Sequence, residues 1–212
     1  MTIRGVIFDM DGLMFDTEHI SFLAHEAVGK ELGLDLCSHL FDVMGMNARE
    51  IERFYNEHLG PGLCYSEIRS KVRAFTAAYV QEHGMPVKPG LRELVSYLRA
   101  NGYAWVMATS TDRARVERNL AMADLTGDFP FMVCGDMVSR SKPDPQIFSV
   151  AAKMIGTPPE QTLVLEDSFN GIRAGAAGGF ITCMVPDLRQ PTAEIRALLT
   201  REFSSLADVI PF

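Results

Sequence analysis

No stretch of this sequence stays apolar long enough to cross a bilayer. The longest uncharged run, Ala174 to Pro186, falls well short of the ~20 apolar residues a spanning helix needs, and its glycines and closing proline better fit a helix, a turn and a strand. The N-terminus lacks a positively charged segment leading into an apolar one, so no export signal is expected and the cytoplasm is the expected location. Positive charge is in deficit too: 20 Lys and Arg against 27 Asp and Glu leave a net charge of −7. That balance speaks against non-specific nucleic-acid binding, which depends on displacing phosphate counterions, while leaving room for a local basic pocket. Cysteine is scarce and scattered. Cys37, Cys64, Cys134 and Cys183 form no C-x-x-C pair for zinc or dithiol chemistry and are expected to be reduced, mostly buried thiols. No internal repeat, low-complexity tract or apolar surface stripe stands out, so a monomer with neither membrane nor nucleic-acid partner is expected.

What is present suffices for a folded interior. With 212 residues, 47% of them hydrophobic and 22% charged, the chain can bury a substantial core without staples. Five short apolar runs read as strands: Arg4 to Phe8, Ala104 to Ala108, Phe131 to Cys134, Thr162 to Leu165, and Phe180 to Val185. Most are continuous rather than alternating, as in strands buried on both faces. Helical periodicities lie between them, with Leu91, Leu94, Val95 and Leu98 on one face, Val116 and Leu120 on another, and Ile147, Phe148, Ala151 and Ile155 on a third. Asp144-Pro145 supplies an N-cap and a first-turn proline to that third helix, and Gly156 and Pro158 end it. Such alternation predicts an α/β fold with a doubly wound, Rossmann-like parallel sheet that binds ligands at the carboxyl ends of its strands.

One segment departs from the alternation. From Thr17 to about Met85 only helical periodicities are found: Ile20, Leu23, Ala27 and Val28; Ile51, Phe54, Tyr55 and Leu59; Ile68, Val72, Phe75 and Tyr79. Gly60-Pro61-Gly62 and the stretch from Gly84 to Gly90 punctuate it. The expected division is a core of residues 1–15 and 86–212, with a small helical cap of residues 16–85 inserted after the first strand and closing over its end.

The first strand runs straight into Asp9 and Asp11, two carboxylates separated by Met10. An unpaired carboxylate in an apolar interior is very costly, so something cationic is expected there, and a hard divalent metal is the first candidate. Taken singly, each further motif has a bland reading. A D-x-D pair is common in loops, Thr109 could cap the helix that starts near Asp112, Lys142 could be a solvated turn residue, and Glu166-Asp167-Ser168 could supply an N-cap.

Together and in order, Asp9-Met10-Asp11-Gly12, Ala108-Thr109-Ser110-Thr111, Lys142-Pro143-Asp144-Pro145 and Glu166-Asp167-Ser168 with Gly171 resemble the four motifs of the haloacid dehalogenase superfamily. The resemblance covers the whole chain and is nearest to the helical-cap phosphatase and β-phosphoglucomutase branch. It implies Mg²⁺-dependent hydrolysis of a small phosphorylated metabolite, a sugar phosphate or nucleoside monophosphate. Asp9 is then the nucleophile that forms an aspartyl phosphate, and Asp11 the general acid and later the general base. Thr109 and the Ser110 N–H would bind the transferring phosphoryl oxygens, and Lys142 would offset negative charge. The metal would be held by Asp9, Asp167, the main-chain carbonyl of Asp11 and Glu166, the last as ligand or supporting partner. Asp16 is assigned no catalytic role.

The segment Val43 to Glu50 resembles a substrate-facing cap turn, so Arg49 could meet a second phosphate or sugar hydroxyls. It could equally pair with Glu52 along a helix. If a sugar hydroxyl rather than water received the phosphoryl group, the protein would be a mutase needing a second phosphate site from cap cations such as Arg49, Arg53, Arg69, Lys71 or Arg73. From another class, a phosphometabolite-binding protein without turnover is the remaining alternative, and the four intact acidic and basic motif residues speak against it.

Overall fold

Valine, isoleucine and phenylalanine in an unbroken run suit a strand covered on both sides, and Gly5–Phe8 (β1) is such a strand, buried along its whole length. This computed structural model describes residues 2–43, 46 and 48–210. Among them, β1 is followed by three helices, α1 (Thr17–Leu32), α2 (Ala48–His58) and α3 (Tyr65–His83). Then come α4 (Leu91–Ala100), β2 (Ala104–Ala108), α5 (Arg113–Met122), β3 (Met132–Val133), α6 (Gln146–Ile155) and β4 (Thr162–Glu166). The chain ends with α7 (Phe169–Ala177), β5 (Ile181–Met184), α8 (Ala193–Arg196) and β6 (Arg201–Glu202). It divides into two compact units, one formed by the chain up to Asp16 and from Met85 onward, the other by Thr17–Gly84. No helix among the described residues is long and apolar enough to cross a membrane.

The first unit is an α/β fold with a six-stranded parallel sheet in the order β3-β2-β1-β4-β5-β6. Ile7 sits in register between Val106 and Val164, and these three pack with Ile147, Phe148 and Ala151 of α6 and Ala174 of α7. Phe8, turned to the opposite face by the two-residue period, meets Phe129 edge-on at 5.6 Å. From β1 the chain steps outward to β2 and β3, then returns to β4 on β1's other side. The crevice between those two directions, at the strands' carboxyl ends, is where such sheets hold ligands.

The sheet has one strand more than the five apolar runs suggest. β6 is two exposed, charged residues, and its membership rests on backbone bonds alone: Thr200 N–H to the Thr182 carbonyl at 2.7 Å and Phe203 N–H to the Met184 carbonyl at 2.9 Å. β3 and β5 are shorter than their apolar runs, because pairing ends before the hydrophobic residues do. α6 starts one residue late. Pro145 occupies its N-cap position, while Asp144 Oδ1 still accepts the Gln146 N–H at 2.9 Å, and Gly156 ends the helix at φ 70°. All four cysteines are free, but only Cys134 and Cys183 are buried; Cys37 is half-buried and Cys64, at the N-cap of α3, is exposed.

The second unit is helical, with a core of Val28, Leu36, Val43, Ile51, Tyr55 and Ile68. Asn56 pins its Gly60-Pro61-Gly62 turn: its amide donates to the Leu63 carbonyl at 2.9 Å and its Oδ1 accepts the Gly62 and Leu63 N–H groups at 2.6 and 3.0 Å. On the first unit's side of the two chain crossings, Phe15 bridges Val87 and the Asp16 N–H meets the Pro86 carbonyl at 3.0 Å. Lys88 ties both down, its ammonium 3.2 Å from Asp16 Oδ1 and 2.6 Å from Asp187 Oδ1.

Candidate active site

β1 continues its ladder one residue past the strand, with the Asp9 N–H donated to the Leu165 carbonyl at 3.1 Å, so the Asp9 side chain emerges where the sheet ends. The chain then turns back: Met14 and Phe15 N–H groups both reach the Met10 carbonyl, at 2.9 and 3.1 Å. Gly12 sits in this turn at φ 82°, and a Cβ there would lie 2.1 Å from Asp167 Oδ2. Only glycine lets the β1 turn pass so close to the end of β4.

Lys142 enters from the loop before α6 and is almost fully buried. Its ammonium has three acceptors for its three protons: Asp9 Oδ1 at 2.5 Å, Glu166 Oε1 at 2.6 Å and the Ala108 carbonyl at 3.3 Å. The Phe148 ring lies 4.8 Å beneath it. Glu166, with no exposed surface, spends its other oxygen on the segment that follows, accepting from the Asp167 N–H (3.1 Å), the Ser168 N–H (3.0 Å) and the Ser168 hydroxyl (2.9 Å). Ser168 in turn caps α7 by accepting the Gly171 N–H at 3.1 Å. A Cβ at Gly171 would fall 1.8 Å from Glu166 Oε1, so this glycine is what makes room for the carboxylate.

From β2, Thr109 is buried, its N–H on the Val133 carbonyl at 3.0 Å, while its hydroxyl oxygen accepts the Thr111 N–H at 3.1 Å. Thr109 does not cap α5; Asp112 does, accepting the Arg115 N–H at 3.0 Å. Ser110 is exposed. Thr111 donates its hydroxyl to Asp11 Oδ2 at 2.7 Å, joining the β1 and β2 turns.

Carboxylate oxygens of Asp9, Glu166 and Asp167 can all lie within 4.8 Å of one another, a group able to hold a metal ion. Burial pushes the Asp9 carboxyl above its ordinary range; Lys142 opposes the shift, and the Glu166 and Asp11 charges add to it. Burial alone would lower Lys142, but Asp9 and Glu166 outweigh it and hold the ammonium charged. The buried Lys142 ammonium thus stands against Asp9 and Glu166, and Asp167 adds a third carboxylate to the group. Hard oxygen donors with surplus negative charge fit a small divalent cation such as Mg²⁺.

Of the residues singled out from sequence, Asp9, Asp11, Thr109, Ser110, Lys142, Glu166 and Asp167 all stand at the ends of β1, β2 and β4 or in the loop before α6. Arg49 belongs to the helical unit. There it lines a groove of about 350 Å³ between α2 and α3 with Glu52, Tyr65, Arg69 and Arg73. Glu52 caps α3 by accepting the Tyr65 N–H at 2.9 Å, and Lys71 pairs instead with Glu31 of α1. Met44, Gly45 and Asn47 of the expected cap turn lie outside the described residues. Ser168 is the N-cap that Glu166-Asp167-Ser168 suggests from sequence; sequence reading gave Thr111 and Gly171 no role of their own beyond membership of their motifs, and did not single out Gly135, where a Cβ would fall 2.1 Å from the Ser110 carbonyl oxygen. The available signal was small residues directly after predicted strands.

A family model described as haloacid dehalogenase-like hydrolase matches residues 3–179. A Drosophila melanogaster protein named probable pseudouridine-5′-phosphatase is 34% identical, the alignment covering 99% of this chain and 92% of that one. Hexitol phosphatase B of Escherichia coli O157:H7 is 30% identical, over 98% of this chain and 94% of its own. Among solved structures, a HAD family hydrolase from Deinococcus radiodurans R1, with bound phosphate and sodium, superposes with a TM-score of 0.83 at 26% identity, covering 98% of this chain and 93% of that one.

Proposed function

The chain belongs to the haloacid dehalogenase-like hydrolases, on their phosphatase branch, and from that premise we propose a Mg²⁺-dependent phosphomonoesterase that works through an aspartyl phosphate on Asp9. The observation that carries the reading is a nucleophile-bearing carboxylate buried at the end of β1, paired to Lys142, with a second carboxylate two residues on.

In the first half-reaction an Asp9 carboxylate oxygen forms a bond to phosphorus as the ester P–O bond breaks, and Asp11 gives its proton to the departing oxygen. In the second, Asp11 takes a proton from water as that water attacks phosphorus, releasing inorganic phosphate and restoring the Asp9 carboxylate. The Thr109 hydroxyl and Ser110 N–H hold phosphoryl oxygens, and the Lys142 ammonium faces the charge that develops. Asp9, Asp167 and the Asp11 carbonyl would hold Mg²⁺, whose bound charge relieves repulsion between carboxylate and phosphate dianion. Both Glu166 oxygens already accept hydrogen bonds, so within the acidic group its role is to set Lys142 and Asp167 in place.

The substrate is a small phosphorylated metabolite of the cytoplasm, a sugar phosphate or nucleoside monophosphate, in keeping with the names of the two relatives. The helical unit acts as the cap that excludes water and reads the organic group. The groove with Arg49, Arg69 and Arg73 favours one further reading, a substrate with a second anionic group, as a sugar-phosphate mutase would require. Phosphate release from a panel of sugar phosphates and nucleoside monophosphates, with and without Mg²⁺ and with a check for isomer formation, tests all of this. Metal-dependent phosphate release supports the phosphatase, isomer without net phosphate supports the mutase, and neither overturns both.

A further inference from the structure

We propose that Thr111 is a positioning residue that holds the Asp11 carboxyl in one orientation, an inference that rests on the acid–base role given to Asp11 above. The Thr111 hydroxyl lies 2.7 Å from Asp11 Oδ2, and this contact joins residues a hundred positions apart in sequence. A hydroxyl can donate to Oδ2 or accept from it, so the contact persists whichever protonation state Asp11 holds, and Oδ1 is the oxygen left for proton transfer.

Thr111 itself is held at both ends of its peptide unit. Its N–H is donated to Thr109 Oγ1 at 3.1 Å, and its carbonyl accepts the Gly135 N–H at 2.9 Å. Gly135 lies two residues past β3 and has no room for a side chain, so the chain leaving β3 presses against the turn that carries Thr111. The hydroxyl therefore projects from a backbone anchored to two strand ends.

The consequence is a carboxyl that need not rotate between steps. With Oδ2 held by Thr111 throughout, Oδ1 gives its proton to the leaving oxygen in the first half-reaction and takes one from water in the second. Without that contact the Asp11 side chain is free to turn about its Cα–Cβ and Cβ–Cγ bonds, and most encounters find its acid oxygen away from the leaving group.

Leaving-group dependence tests this, because an alkoxide must be protonated as it departs and an acidic phenol need not be. kcat/KM reports the step that transfers phosphorus to the enzyme, so Thr111→Val is measured on an alkyl phosphate and on 4-nitrophenyl phosphate. The expected loss is ~10-fold or more greater on the alkyl ester, within the ~10²–10⁴-fold span of acid–base catalysis, with Thr111→Ser restoring the alkyl rate. Equal losses on both esters, no loss on either, or failure of Thr111→Ser to restore the rate would overturn the inference. Thr111→Ala, read the same way, replaces the valine variant if that protein does not fold. Asp11→Asn run on the same two esters separates the levels: if it too shows no preference, the acid–base reading fails, and if it does while Thr111→Val does not, only the role of Thr111 fails.

Discussion

In the sheet unit, chemistry and backbone are locked to each other: a residue directly after a parallel strand has one place to go, and Asp9, Thr109 and Asp167 all go there. In the helical unit, Arg49, Arg69 and Arg73 share a groove because of how two helices cross, which no single periodicity dictates. Strand ends fix position through hydrogen-bonded register, whereas helix surfaces fix only a face. The two units should therefore answer mutation differently.

The largest effect is expected at the strand end. Asp9→Asn should lower phosphate release by ~10⁴-fold or more while leaving the circular dichroism spectrum and thermal midpoint near those of the parent, and turnover at the parent rate would remove the mechanism. Two lysines then measure the contrast in stability. Lys142→Met strands Asp9 and Glu166 without their buried partner and should cost ~3–5 kcal/mol in denaturant unfolding. Lys71→Met breaks an exposed pair with Glu31 and should cost no more than ~1 kcal/mol. Similar costs for the two would erase the distinction. Gly171→Ala, which drives a methyl into Glu166, should cost ~1–3 kcal/mol and lower activity together, read by unfolding and phosphate release on one preparation.

Arg49→Ala should leave stability within ~0.5 kcal/mol and raise KM without a matching fall in kcat, a split that steady-state kinetics resolves. The smallest effect concerns pH. Burial lowers His25 of α1 below its ordinary value, outweighing its 2.7 Å contact with the Ser21 carbonyl. The folded state thus prefers the neutral ring and binds fewer protons than the unfolded chain. Its contribution is present above the unfolded value of 6.5 and is lost as pH falls toward the lowered one. Protection factors for hydrogen exchange in α1 should fall across that window, and His25→Gln should flatten the dependence.

The same contrast explains what could be read from sequence. β1, β2 and β4 were legible because their apolar runs are continuous, and their motifs because each follows a strand. β6 was not, since Arg201-Glu202 owes its place to carbonyls on β5 rather than to any pattern of its own. Thr111 and Gly135 were equally hidden: one needs Asp11 brought across from β1, the other the close approach of the Ser110 carbonyl. In the helical segment the inward positions Ile20, Val28, Ile51, Tyr55 and Ile68 could be picked by period, but Phe54, Val72 and Tyr79 are only half-buried, because three helices cannot enclose every apolar residue that faces inward.

The Asp16 N–H resting on the Pro86 carbonyl has an evolutionary corollary. Where an excursion departs and rejoins at hydrogen-bonded neighbours, its length barely alters the entropy of closing the loop, which grows only with the logarithm of residue number. The described residues of 17–84 contribute no strand to the sheet, and Phe15, Val87 and Lys88 stitch the opening shut without them. The scaffold can thus host a longer, shorter or unrelated insertion at this junction while every pairing that aligns its acids survives, so lineages sharing these strand ends are free to trade the excursion between them.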